Sequence, residues 1–459
     1  MKLFNSFFKL ALAATTLTLA TACSEEETLR ELPPTVAVSN IKFQDTDNRE
    51  GKIEGKLTWT LPTVDTDVEN YVIYLGETQL TEVSKDTKEF MIPANTDFKA
   101  SIMIVAKNKI GESALKPKLA VEDYTFVFVP KTLKAYITNE GKNESNNATL
   151  TSYDPATKEI TQGVFQAING QGLGDSAQDI IVYGSKMYIA VYGSQLIFVT
   201  DLQGKIIDKV KLSDSAKQPR SFTTDNGSVY VSLYEGYVGK IDTTSYSVET
   251  VKVGPNPEEL AVANGKLYVA NSGGMNWEHG YDKTVSVIDL KTFTETKKIE
   301  VAVNPCAMVA TAEGDVYLVS NGNYKDVPKT LQHIDSKTDE VKALGGIVAP
   351  TWMAMGAEGK LYVIGAEYDE NWNMKNTYKV LDTKTNKVLG DFITDVPDGI
   401  DIQKAYSINV DPVSGDIYIG TSDYTNNGDM YVISKEGKFV NRFEVGLNPG
   451  KVCFLTNIQ

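Results

Sequence analysis

Residues 251–299 read VKVGPNPEELAVANGKLYVANSGGMNWEHGYDKTVSVIDLKTFTETKKI. Four segments within them, ELAVA, KLYVANS, TVSVIDL and ETKKI, alternate or run apolar and are separated by turn signals, the pattern of four short strands. The turn between the first two carries Asn264-Gly265, a pair suited to a type I′ hairpin because both central residues need positive φ. A lone four-stranded sheet of this kind has two apolar faces and cannot bury both, so the pattern should recur every 40 to 50 residues or so.

It recurs at the second strand, where a tyrosine follows a Gly-containing turn: Tyr136, Tyr188, Tyr230, Tyr268, Tyr317, Tyr362 and Tyr418. Six of them are preceded by a first-strand apolar residue, namely Ile180, Phe222, Leu260, Met308, Met353 and Ile408. Tyr136 has none before it. The missing copy lies at the other end of the chain, where Asn448-Pro449-Gly450-Lys451-Val452-Cys453-Phe454 repeats the form of Asn256-Pro257-Glu258-Glu259-Leu260. The expected architecture for 131–459 is therefore an all-β, seven-bladed propeller whose C-terminal strand closes the first blade and removes an open sheet edge.

The N-terminal segment has a different character. Residues 1–22 have Lys2 and Lys9 before a short apolar run, and Leu19-Ala20-Thr21-Ala22-Cys23 resembles the lipobox of bacterial lipoproteins, which makes Cys23 the expected lipidation site. Residues 23–34 form an acidic linker, and Ser24-Glu25-Glu26-Glu27 resembles the tag of surface-exposed lipoproteins of the Bacteroidetes, although a plain solvated linker has the same composition. Residues 35–126 lack the repeat. Leu57-Thr58-Trp59-Thr60-Leu61-Pro62, Tyr71-Val72-Ile73-Tyr74 and Val105 to Ser113 resemble a fibronectin type III β-sandwich, with an inward Trp packing over an aromatic strand. Ala100, near Phe98, stands where that family usually has its corner tyrosine. Such a domain would serve as a spacer or a second binding module.

Within the repeats, turns joining first to second strands are short and fall on one face. Connections between second and third strands fall on the other, and several are long: 139–148, 271–283, 321–329, 365–377 and 421–429. Long loops are costly to order and tend to be functional. These carry Trp277, His279, Tyr281, Tyr324, Tyr368, Trp372 and Tyr424. Entry loops to the first strands open on the same face, and the repeat register puts Gln178, Arg220, Glu258, Cys306, Thr351, Tyr406 and Gly450 around the channel mouth, with Trp352 beside them. Aromatic plates offer large contact area at low entropy cost. The candidate ligand-binding set is Arg220, Trp277, Tyr281, Tyr324, Trp352, Tyr368, Trp372, Tyr406 and Tyr424.

Catalytic chemistry has little support. With two histidines, His279 and His333, a three-histidine metal site is excluded, and no HExxH, nucleophile elbow or phosphate loop occurs. No cofactor is expected. His333 reads as structural, and Cys306 and Cys453 as small buried hydrophobes on different blades. A formal charge of −15 argues against nucleic acid as a partner.

Gly265 to Asn271, Val285 to Asp289 and Val303-Asn304-Pro305 resemble the YVTN or YncE-like seven-bladed propellers over 131–459. With the lipobox and acidic tag, the chain is similar to surface propeller lipoproteins of the Bacteroidetes that capture cobalamin beside a TonB-dependent transporter. The resemblance implies a non-enzymatic receptor, anchored to outer-membrane lipid through Cys23, that takes a bulky polar ligand on the long-loop face, with cobalamin the first candidate. A glycan-binding or lyase-type propeller using the same face, or a protein-interaction scaffold, is the alternative.

Overall fold

The computed structural model describes residues 32–124, 129–371, 373–398, 400 and 402–458. Cys23 and Trp372 therefore lie outside the described residues. The chain divides into two compact units, 1–129 and 130–459.

In the first unit, a three-stranded sheet orders Ser39–Phe43, Lys52–Thr60 and Glu89–Asp97. A four-stranded sheet orders Thr78–Ser84, Asn70–Leu75, Ser101–Lys107 and Lys118–Ala120. Strand Lys52–Thr60 alternates buried and open positions, which sends Ile53, Leu57 and Trp59 inward to meet Tyr71, Ile73, Ile102 and Ile104 of the other sheet in one core. Phe98 packs at its edge.

The second unit is a β-propeller. Its described residues form seven four-stranded antiparallel sheets, each except the first built from consecutive strands. The quoted stretch supplies one of them: Pro257–Ala263, Lys266–Asn271, Thr284–Asp289 and Thr294–Glu300. Second strands are almost wholly buried, and the tyrosine of each is at most 4% exposed. Asn264 and Gly265 have φ of 49° and 73°, as a type I′ turn demands.

The first strand of every sheet packs against the first strand of the next, and the cycle closes. Closure falls on Pro449–Thr456, which pairs with Thr132–Asn139 in the register Val452 to Ile137, Cys453 to Tyr136 and Phe454 to Ala135.

Two features differ from expectation. The connection 365–377 is mostly strand: Lys360–Tyr368 and Met374–Asp382 stay paired as far as Tyr368 opposite Met374, because the hairpin's cross-strand hydrogen bonds continue beyond the sheet. The 271–283 loop is not structureless either, since it holds the 3₁₀ helix Gly274–His279. A short helix, Val164–Asn169, also interrupts the link from the first to the second sheet and buries Val164 and Phe165.

Candidate functional site

Each first strand begins in one way. Its opening residue is buried, Ala177, Pro219, Pro257, Pro305, Pro350, Ala405 or Pro449, and the pairing with the second strand slips just after it. The residue before the strand has left-handed backbone in six of the seven, including Asn256, Asn304 and Asn448, a conformation that Asn tolerates best among residues with side chains. A bulge at this point relaxes strict alternation, so two successive side chains can face the channel. The result is a mouth ring of Gln178, Arg220, Glu258, Cys306, Thr351, Tyr406 and Gly450 and a second row that includes Asp179, Ser221, Glu259, Trp352, Ser407 and Lys451.

These residues line a cavity of about 1160 Å³. Its two sides differ in chemistry. On the polar side, the Arg220 guanidinium donates from Nε and Nη2 to one Glu258 oxygen at 3.0 and 2.6 Å, and from Nη1 to Gln178 at 2.7 Å. Gln178 in turn donates to Glu140 at 2.7 Å, and Ser272 holds the other Glu258 oxygen at 3.1 Å. The guanidinium lies between the rings of Tyr192 and Tyr234, 5.3 and 4.9 Å from their centroids. Burial pulls Arg220 down, but Glu258, Tyr234 and Glu140 more than offset it and hold it above its ordinary range. Burial pushes the Glu140 carboxyl up to about 7, against Arg220 and the hydrogen bonds from Tyr406 and Gln178.

Deeper, Asp179 accepts hydrogen bonds from Ser221 and from the backbone N–H groups of Phe222 and Ile180. Glu259 accepts one from Met308 N–H. Burial raises both carboxyls, and Lys451, 3.9 Å from Glu259, pulls them back.

The other side is aromatic and apolar. Tyr324, Val348, Tyr368 and Tyr424 are each more than half exposed, and Trp352, Met374 and Tyr406 stand with them. Tyr424 meets Tyr406 edge to face at 5.7 Å, and Tyr324 meets Tyr281 at 6.0 Å. Tyr281, Tyr324 and Tyr424 all have positive φ, between 57° and 64°. Each such residue costs roughly 1–3 kcal/mol, and strain of this kind collects at ligand clamps.

Among the described residues no group of three or more His, Cys, Asp or Glu side chains is disposed to hold a metal. Burial pushes the Cys306 thiol well above its ordinary value.

A family model described as "Domain of unknown function (DUF5074)" matches residues 134–445. The chain belongs to this family. No curated protein matches it in sequence. Among solved structures, a putative 6-phosphogluconolactonase from Bacteroides fragilis is 11% identical with a TM-score of 0.50, covering 70% of this chain and 98% of that one. Hydrazine synthase of Kuenenia stuttgartiensis is 17% identical over 60% and 89%, TM-score 0.49. The WD40 propeller domain of Doa1 is 14% identical over 65% and 88%, TM-score 0.44. At such identities the likeness is one of fold alone, and proteins named as enzymes stand beside a WD40 domain.

Of the sequence-derived candidates, the DUF5074 propeller brings Arg220, Tyr324, Trp352, Tyr368, Tyr406 and Tyr424 to one cavity. Trp277 sits on the 3₁₀ helix, 60% exposed and outside the cavity lining, and Tyr281 reaches the cavity only through Tyr324. Arg220 has its three nitrogens engaged, so it braces the mouth and does not present a free cation. His333 packs on Tyr317 and lies 3.0 Å from Asp315, while His279 is exposed. Cys306 and Cys453 are free thiols. Sequence reading missed Glu140, Glu259, Lys329 and Lys451. The last two are lysines in an ordinary-looking loop and strand; Glu259 and Lys451 were reachable by applying the bulge to the register that gives Glu258 and Gly450.

Proposed function

We propose that this DUF5074 protein is a non-enzymatic receptor that holds a bulky ligand in the cavity of a seven-bladed ring. In the same reading, its first unit is a fibronectin type III-like spacer, Cys23 carries a lipid that anchors the chain to the outer membrane at the cell surface, and the ligand passes to a TonB-dependent transporter. The observation that carries it is the cavity, which is larger than most drug-sized sites and sets a braced polar arc opposite an exposed aromatic one. A ligand with a broad flat face and many hydrogen-bonding groups fits such walls. Cobalamin is the first candidate, and a glycan the second.

Titration calorimetry of cobalamin against the intact protein tests this. Trp352→Ala or Tyr368→Ala should weaken binding by about 1–3 kcal/mol, five- to 150-fold, if the ring is an anchor. Trp277→Ala, outside the cavity, is the control and should change little. No corrinoid binding removes cobalamin. Unchanged affinity for any cavity ligand after Tyr324, Trp352, Tyr368 and Tyr424 are all replaced, with folding intact, removes the receptor reading.

Glu140 favours a second reading. A part-buried carboxyl pushed up to about 7 beside Tyr406 is suited to general acid–base work, as in a propeller lyase. Conversion of a bound glycan during titration would move the assignment there.

Anchoring has its own check. Cys23→Ser should release the protein from the detergent-free membrane fraction, and persistence of the variant in that fraction excludes a lipid at this residue.

A further inference from the structure

The cationic groups facing the cavity are Arg220, Lys325, Lys329 and Lys451. Arg220 is spent on Glu258, Lys451 faces Glu259 and Asp179, and Lys325 is exposed at the rim. Lys329 differs from all three. It crosses from the fifth sheet to the sixth, where its Nζ donates to Thr351 Oγ1 at 2.7 Å and, more weakly, to the Ala366 carbonyl at 3.4 Å. Among the described residues no carboxylate lies within ion-pair distance of it. Burial pulls its pKa down, while Cys306 and Glu367 only partly oppose this. Both of its protein acceptors are neutral oxygens.

We infer, resting on the receptor reading above, that Lys329 is the anchor for an acidic group on the ligand. The ligand class is a bulky molecule with one flat apolar face and a carboxylate, sulfonate or phosphate group, that face against Trp352 and Tyr368 and its acidic oxygen on Lys329 Nζ. An ammonium already stripped of much of its water and lacking a counter-ion forms a stronger charge-assisted bond than one at an open surface. Val348, Pro328 and Met374 line the same part of the cavity and add apolar surface beside it. Position adds selectivity, because on the opposite arc the Arg220 guanidinium is already engaged by Glu258 and Gln178 and offers an acidic group bound in the reverse orientation no free donor.

The test uses two dyes of nearly the same shape, anionic 8-anilinonaphthalene-1-sulfonate and neutral N-phenyl-1-naphthylamine, titrated by fluorescence against the full protein. Wild type should bind the sulfonate more tightly than the amine. Lys329→Met should weaken the sulfonate roughly ten- to 100-fold and leave the neutral dye within about twofold, whereas Lys329→Arg should retain most of the sulfonate affinity. Thermal melts of both variants report folding, and the arginine variant keeps the test informative if the methionine variant unfolds. Sulfonate binding that falls with Trp352→Ala and Tyr368→Ala but ignores Lys329→Met overturns this inference and leaves the receptor reading standing. Dye binding indifferent to those two aromatics, or no dye binding at all, also overturns this inference, while the receptor reading stands or falls on the cobalamin titration above.

Discussion

Ending the chain at Leu447 is expected to abolish cooperative unfolding of the 130–459 unit. The lost strand, Pro449–Thr456, buries Val452, Cys453 and Phe454 to 8% exposure or less, and it packs on the first strands of both neighbouring sheets. Burial of such side chains contributes about 1.5–3 kcal/mol each for the larger ones, before counting the pairing with Thr132–Asn139. The sum approaches the roughly 5–15 kcal/mol that separates an ordinary domain from its unfolded state. The free edge of Thr132–Asn139 would also become a template for intermolecular pairing. Calorimetry and size-exclusion chromatography of the truncated and intact proteins should show loss of the propeller transition together with aggregation. A truncated protein that melts in one transition at the intact temperature would mean that closure contributes nothing.

Arg220→Ala should cost about 1.5–3 kcal/mol at pH 8, the usual range for hydrogen bonds to charged groups, here in a part-buried pair. Glu258 loses two charge-assisted hydrogen bonds, and the slot between Tyr192 and Tyr234 empties. The deficit should depend on pH. Glu140 has a folded value of about 7 against 4.5 for an ordinary glutamate, so its favourable contribution is complete below the ordinary value and is lost as pH rises through about 7. Arg220 is among the groups that oppose that rise, and without it the ionised form is costlier still. Urea unfolding at pH 5 and pH 8 should therefore show the variant's deficit deepening at the higher pH. Equal deficits at both would mean that Arg220 and Glu140 do not communicate.

The strands were legible because their signals are local. Tyr268 between Leu267 and Val269, and Asn264-Gly265 before them, state a hairpin within a few residues, and the sixfold echo of that pattern states its number of copies. The mouth ring was legible for the same reason, since each member follows a buried Pro or Ala. Other residues become neighbours only after the ring closes. Glu140 stands 38 residues from Gln178, and Lys329 stands 22 from Thr351, separations at which sequence carries no pairing signal. Period-two alternation also misleads at the bulges, because it sends Glu259 and Lys451 to the face opposite Glu258 and Gly450. The hairpin of Lys360–Tyr368 hid in its own composition: Gly365, Asp369 and two asparagines read as a loop, yet Asp369 uses its carboxylate to turn the chain at Asn371 and Asn373 while the strands run on.

The two ends of the propeller unit meet at one corner of the first sheet, where Asn457 N–H donates to the Lys131 carbonyl at 3.1 Å and Lys131 N–H donates to Asn457 Oδ1 at 2.8 Å. This has a mechanical meaning. Tension applied between the ends would act across the strands and not along them, so the seam would unzip rung by rung, beginning beside Thr132 and Thr456, instead of resisting as a block in shear. A unit tethered through one end alone carries no load across that seam, however hard its tether is pulled.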